Sequence, residues 1–205
     1  MRIALIIIYL SSFAWIFPIF RQYKSNLFYF FLFLGISDPL TILLFQIFRH
    51  PPGIISVIFA PILLLLFRFF FIMILFYTIN IDRQKKFSIN SIEIFVFLLT
   101  FILFFTVPNN DVIMLVIHTM ILIRVLSKIL IELHHKQIVN IFHIVLAFYM
   151  TTSVASLLVF LNGDYQAMVL FYINLAFQIL IAIFFSLFSE DNPKLIYNVT
   201  PAIKD

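Results

Sequence analysis

Seven stretches of almost unbroken apolar residues, separated by short polar connections, run along the chain at 3–20, 27–48, 54–81, 92–107, 111–133, 141–161 and 167–188. Several of them reach the roughly 20 residues needed to cross a hydrocarbon core about 30 Å thick. The pattern predicts an all-α fold: a polytopic transmembrane bundle of seven helices over residues 1–188, followed by a short polar tail over 189–205. The connections at 21–26, 49–53, 82–91, 108–110, 134–140 and 162–166 leave no room for a domain outside the bilayer. The first stretch follows Arg2 as a signal peptide would, but it has no small-residue cleavage site, so it reads as a retained helix.

Local signals agree with these limits. Asn90 with Glu93 resembles an N-cap and its reciprocal acid at the start of the fourth helix, and Asn110 before Asp111 does the same for the fifth. His50-Pro51-Pro52-Gly53 is a stop followed by a turn.

Composition makes the solvent of these helices explicit. The chain is 64% hydrophobic and 11% charged, with a mean hydropathy of +1.16, whereas soluble domains hold about 45–50% apolar and about 25% charged residues. The 29 phenylalanines, the many isoleucines and only 3 glycines fit codon bias from an AT-rich genome. They point to the cytoplasmic membrane of a bacterium, with the phenyl rings as lipid-facing and interhelical filler.

Several chemistries are excluded. With no cysteine there is no disulfide, thiolate-held metal, iron–sulfur cluster or thiol nucleophile. Gly35, Gly53 and Gly163 are too far apart for a phosphate-cradling loop or a paired-glycine helix crossing. The net charge of +4 does not form a nucleic-acid-binding face, because the basic residues are scattered at helix ends. They sort by side instead: Arg21, Lys24, Arg83, Lys85, Lys86, Lys136, Lys194 and Lys204 against Arg2 and Arg49. By the positive-inside rule the larger group is cytoplasmic, which places the N-terminus outside and the C-terminus inside and requires an odd number of crossings.

Ionisable residues in the middle of a span cost several kcal/mol unless paired or hydrated, so they are the best pointers to a site. Here they are Asp38, Arg68, His118, Arg124 and Lys128. Asp38 and Arg68 sit at similar depth in neighbouring helices and are expected to face each other, either as a packing ion pair or as the coupling groups of a working site. Pro39 withholds the N–H that would bond to the carbonyl of Gly35, predicting a kink beside Asp38, and Pro61 bends the partner helix in the same way.

Arg124, Lys128 and Glu132 form one stripe, in which Lys128 can pair with Glu132 or snorkel to the interface. Arg124 lies deeper and calls for an anionic group from a lipid, a solute or a partner helix, or for water. Tyr149, Thr152, Ser153 and Ser156 form a second polar stripe, and Asn174 with Gln178 a third. Such stripes serve as interhelical hydrogen-bond glue or as solute contacts.

No catalytic or cofactor constellation emerges. His118 and His143 lie at different depths, so no haem joins them. Glu132, His134, His135 and His143 have the chemistry of metal ligands but read as solvated loop residues. Asp38 is a lone acid within the spans, and the last span has no lysine for a retinal Schiff base.

The chain is therefore expected to be a non-enzymatic sensor- or receptor-like module, with no cofactor and no metal. It would bind an anionic or lipidic ligand in the bilayer through Asp38, Arg68, Arg124, Tyr149, Thr152, Asn174 and Gln178. It would relay to a cytoplasmic or membrane protein partner through residues 82–86 and the tail. A small-solute transporter using Asp38 and Arg68, or an accessory subunit of a larger membrane complex, are the alternative readings.

Overall fold

The computed structural model describes residues 2–47, 62, 65–66, 68–75, 78, 91–106, 110–161 and 167–199. The chain is mostly helical, in the order α1 (Arg2–Ala14), α2 (Ile16–Arg21), α3 (Phe28–Ile47), a helical stretch within 62–78, α4 (Ser91–Thr106), α5 (Asn110–Lys136), α6 (Ile141–Leu161) and α7 (Ala167–Leu187). Two three-residue strands, β1 (Ile138–Asn140) and β2 (Ile196–Asn198), and a 3₁₀ turn at Pro193–Leu195 complete the described elements. Among the described residues two helices are long and apolar enough to cross a membrane, over Val112–Lys136 and Ile141–Val159, and Phe28–Leu44 and Tyr172–Leu187 are shorter apolar helices.

The first apolar stretch is two helices rather than the one predicted. Pro18 has no N–H to donate to the carbonyl four residues earlier, at Ala14, and the helix breaks at Trp15 between α1 and α2. Pro39, by contrast, lies buried inside α3, which is one helix through that position.

The break at Trp15 lets α3 come close. A Cβ built on Gly35 would overlap the Trp15 carbonyl oxygen and lie 2.8 Å from Ile19 Cδ1. A single glycine thus makes a close helix crossing without a paired-glycine motif.

The core is aromatic and centres on the chain's one tryptophan. The Trp15 ring lies 4.6 Å from Tyr149, 6.1 Å from Phe185 and 6.4 Å from Phe31, centroid to centroid. Phe142 lies 4.8 Å from Phe185 and 6.2 Å from Phe31, so α2, α3, α6 and α7 meet around one cluster. Aromatic pairs in such offset geometries add about 0.5–1.5 kcal/mol each beyond the area they bury.

Around this core α5 packs on α6, α1 and α2 pack on α7, and α4 lies along α5. Outward-facing positions are apolar as well: Phe17 and Phe20 before α3, Phe95 and Ile102 on α4, Leu130 on α5, Leu180 and Leu187 on α7 are all exposed. Surfaces of this kind are costly in water and neutral in lipid.

One end of the bundle is closed by the C-terminal segment. Gln137 ends α5 with a positive φ of 52°, turning the chain directly into β1. β2 returns antiparallel on β1, pairing Ile138 with Asn198, Val139 with Tyr197 and Asn140 with Ile196. The Val199 N–H extends the ladder by donating to the Gln137 carbonyl at 2.7 Å.

Candidate functional site

Beneath this small ladder lies a buried cluster of four ionisable side chains. Lys128 and Glu132, one helical turn apart, project from the last turns of α5 on one face. Asn140 caps α6, its Oδ1 accepting from the Phe142 N–H at 3.0 Å, and this cap sets the first turn of α6 so that His143 points into the same space. The fourth member, Glu190, comes from the segment after α7. Its backbone carbonyl accepts from Asn140 Nδ2 at 3.2 Å, and Asn192 opens the following 3₁₀ turn by accepting from the Lys194 N–H.

The contacts are short and run in a chain. Lys128 Nζ donates to Glu190 Oε1 at 2.6 Å. His143 Nδ1 lies 2.7 Å from Glu132 Oε2 and its Nε2 lies 3.0 Å from the same Glu190 Oε1. With a carboxylate oxygen at each ring nitrogen, the imidazole satisfies both only when both nitrogens carry hydrogen. The cluster then holds two positive and two negative charges.

All four side chains are buried, His143 to 1% exposure. Burial by itself would raise the Glu190 pKa, but the His143 hydrogen bond and the Lys128 charge outweigh it and hold the carboxyl at about 2. Glu190 Oε2 is buried and makes no hydrogen bond among the described residues.

At the end of α7, before Glu190, Gln22 is fully buried, and its Nε2 donates to the carbonyls of Phe185 at 2.9 Å and Phe188 at 2.7 Å. A single side-chain amide thereby satisfies two carbonyls at the end of α7 and ties it to the end of α2.

These positions revise two expectations. Lys128 pairs with Glu190, not with Glu132, because Glu132 is taken by His143. His143 is not a solvated loop residue, whereas its presumed companions His134 and His135 are exposed. Among the described residues no group of three or more metal-binding side chains has the geometry to hold an ion.

The other predicted site residues are dispersed. The Asp38 side chain and all of Pro61 lie outside the described residues, and Arg68 is half-buried at the start of the described helical residues 68–75. Arg124 is exposed on α5. Tyr149 is buried against Trp15, and its carbonyl accepts from Thr152 Oγ1 at 2.8 Å and Ser153 Oγ at 3.0 Å, so those hydroxyls are satisfied within α6. Gln178 Oε1 accepts from Ser11 Oγ at 3.2 Å, an α1–α7 contact of the interhelical kind. Asn174 Oδ1 is buried without a hydrogen-bond partner among the described residues.

Glu190 is the member of the buried cluster that the sequence pattern did not single out. It sits in Ser189-Glu190-Asp191-Asn192, a run that reads as a solvated tail. The available hint was indirect: a lysine at position 128 needs a carboxylate, and the stripe on its own helix supplies only one for both Lys128 and His143. Compared with protein families, curated proteins and solved structures, the chain matches none.

Proposed function

We propose that this chain is a non-enzymatic integral membrane module of the sensor or receptor-like kind. Seven helices cross the bilayer, with the N-terminus outside and the C-terminus in the cytoplasm. The segment 189–199 is the element that relays its state to a cytoplasmic partner.

The observation that carries this reading is the seat of Glu190. The C-terminal segment is fastened to the α5–α6 end through a buried ionic contact rather than through apolar packing alone. Such a contact is sensitive to charge and geometry and suits a two-state element. The apolar outer faces of the helices, and Arg21, Lys24, Lys136 and Lys194 at the ends of α2, α5 and the segment after α7, support the placement in the membrane.

Topology is directly testable because the chain contains no cysteine of its own. Single cysteines introduced at Ile3 and at Tyr197 are expected to react with an impermeant maleimide from opposite sides of intact cells or oriented vesicles. Reaction from the same side would overturn the odd number of spans. Coupling to a partner is expected to show as co-purification that depends on residues 189–199.

Arg124 favours a second reading. An exposed guanidinium within a membrane-capable helix calls for an acidic counterpart, from a lipid headgroup or from an acidic side chain of another subunit. A stoichiometric membrane partner lost in Arg124→Leu would select the accessory-subunit role. Solute flux lost in Asp38→Asn would select a transporter.

A further inference from the structure

We propose that the Lys128–Glu132–His143–Glu190 cluster is a proton-operated latch: with both imidazole nitrogens protonated it holds residues 189–199 on the bundle, and loss of one imidazole proton to solvent releases them. The inference rests on the reading of this segment as the relay element and adds what operates it.

The argument starts from donors. Glu132 Oε2 and Glu190 Oε1 face opposite nitrogens of the same ring, at 2.7 and 3.0 Å. A neutral imidazole has one N–H, so on deprotonation one nitrogen lone pair confronts a carboxylate oxygen. The charge count changes with it: Lys128 and the imidazolium balance Glu132 and Glu190, and without the imidazolium one negative charge is left over in a space that solvent barely reaches. An uncompensated buried charge is strongly unfavourable, and the structure yields at its weakest fastening.

That fastening is Glu190. Lys128 and Glu132 are fixed on α5 and His143 is fixed on α6, both long helices. Glu190 lies on a segment held otherwise by a three-residue ladder, the Asn140 side chain and Leu195. Glu190 Oε2 already lacks a partner among the described residues, so hydration on release improves its position. No other charged group faces the ring from the described elements packed on it. From α5, Lys128 and Glu132 do so, and from the C-terminal segment only Glu190. Gln22, the uncharged residue after α2, is occupied by the Phe185 and Phe188 carbonyls, Arg21 and Lys24 are exposed, and His134, His135, Lys136, Asp191 and Lys194 are exposed as well.

Leu195 supplies the readout, because it is buried while the segment is docked, whereas Tyr197 is exposed in either state. Single-cysteine chains Leu195→Cys and Tyr197→Cys, reconstituted in vesicles, are labelled with a maleimide, and the ratio of their rates cancels the pH dependence of the thiol itself. The ratio is expected to rise roughly tenfold between about pH 5.5 and about pH 9.5, a window that brackets imidazole titration.

In Glu190→Gln the rise is expected to vanish and the ratio to stay low. The introduced amide removes the charge that demanded an imidazolium and can donate to the bare ring nitrogen. In His143→Gln the ratio is expected to be high at every pH, since one amide nitrogen cannot serve two opposed carboxylates.

A wild-type ratio that does not move with pH overturns the latch, and so does a rise that persists unchanged in Glu190→Gln. The second chain keeps the test decisive if His143→Gln does not accumulate. The sidedness of Tyr197→Cys labelling in the same vesicles reports the membrane placement separately, so a failed latch and a failed topology give different results.

Discussion

Adding one methyl group at Gly35 tests whether the close crossing of α3 over the Trp15 break governs packing. The sign is informative, because helix propensity alone favours alanine over glycine in a helix interior by about 1 kcal/mol. Against this, the new Cβ would overlap the Trp15 carbonyl oxygen and approach the Trp15 carbonyl carbon to 3.0 Å and Ile19 Cδ1 to 2.8 Å.

The isoleucine can rotate away, but the carbonyl belongs to the backbone of a residue whose ring is locked among Phe31, Tyr149 and Phe185. Overpacking of this kind costs typically 1–3 kcal/mol, and overlap with backbone puts it at about 3. Subtracting the propensity gain leaves Gly35→Ala destabilised by about 2 kcal/mol, roughly a thirtyfold change in the folded-to-unfolded ratio.

The sole tryptophan sits at the crossing and provides the assay: its fluorescence followed through a denaturing-detergent titration of the purified protein. An alanine at exposed Ile36 on the same helix serves as the control and is expected to lie within about 0.5 kcal/mol of wild type. Equal or greater stability in Gly35→Ala would refute the close-crossing argument.

Three further outcomes follow from other contacts. The Glu190 carboxyl, held at about 2 against an ordinary 4.5, contributes about 3 kcal/mol; a depressed pKa means that this stability is present above about pH 4.5, for as long as the imidazolium beside it keeps both protons, and is lost as the pH falls through about 2. Acid titration of unfolding is expected to show that loss in wild type and a flatter profile in Glu190→Gln. Gln22→Leu removes the donor shared by the Phe185 and Phe188 carbonyls and is expected to cost about 2–3 kcal/mol in the same fluorescence assay, with a neutral result counting against the cap. Gln137→Gly is expected to stabilise by about 1 kcal/mol, because glycine adopts the left-handed conformation of residue 137 without steric cost, and a loss of stability there would show that the glutamine side chain contributes more than its backbone strain.

The helices themselves were legible in the sequence. The predicted stretches 141–161 and 167–188 coincide with α6 at Ile141–Leu161 and α7 at Ala167–Leu187 almost to the residue. Length, apolar continuity and cap residues are local properties, and they set these limits. Asn110 begins α5 as its pairing with Asp111 implied.

What the chain did not disclose is non-local. Pro18 announces a break as plainly as Pro39 does, yet whether a proline interrupts a helix depends on what its neighbours can compensate. The partner of Lys128 lies 62 residues away, in a polar run whose composition suits solvent. The apolar pattern shows that a lysine in that position must be paired, but only the fold decides between Glu132 and Glu190. The expected meeting of Asp38 and Arg68 falls on a side chain outside the described residues.

The first helices and the last are neighbours. α1 and α2 pack on α7, and Ser11 meets Gln178 across a separation of 167 residues. As synthesis proceeds from the N-terminus, α1 and α2 therefore wait for α7 while the residues between them are made. During that interval the α7-facing groups of Ser11, Trp15 and Gln22 lack their final partners Gln178, Phe185 and Phe188. By the same geometry, a chain that stops short of α7 leaves its opening helices orphaned, and supplying the missing final helix as a separate polypeptide should restore them.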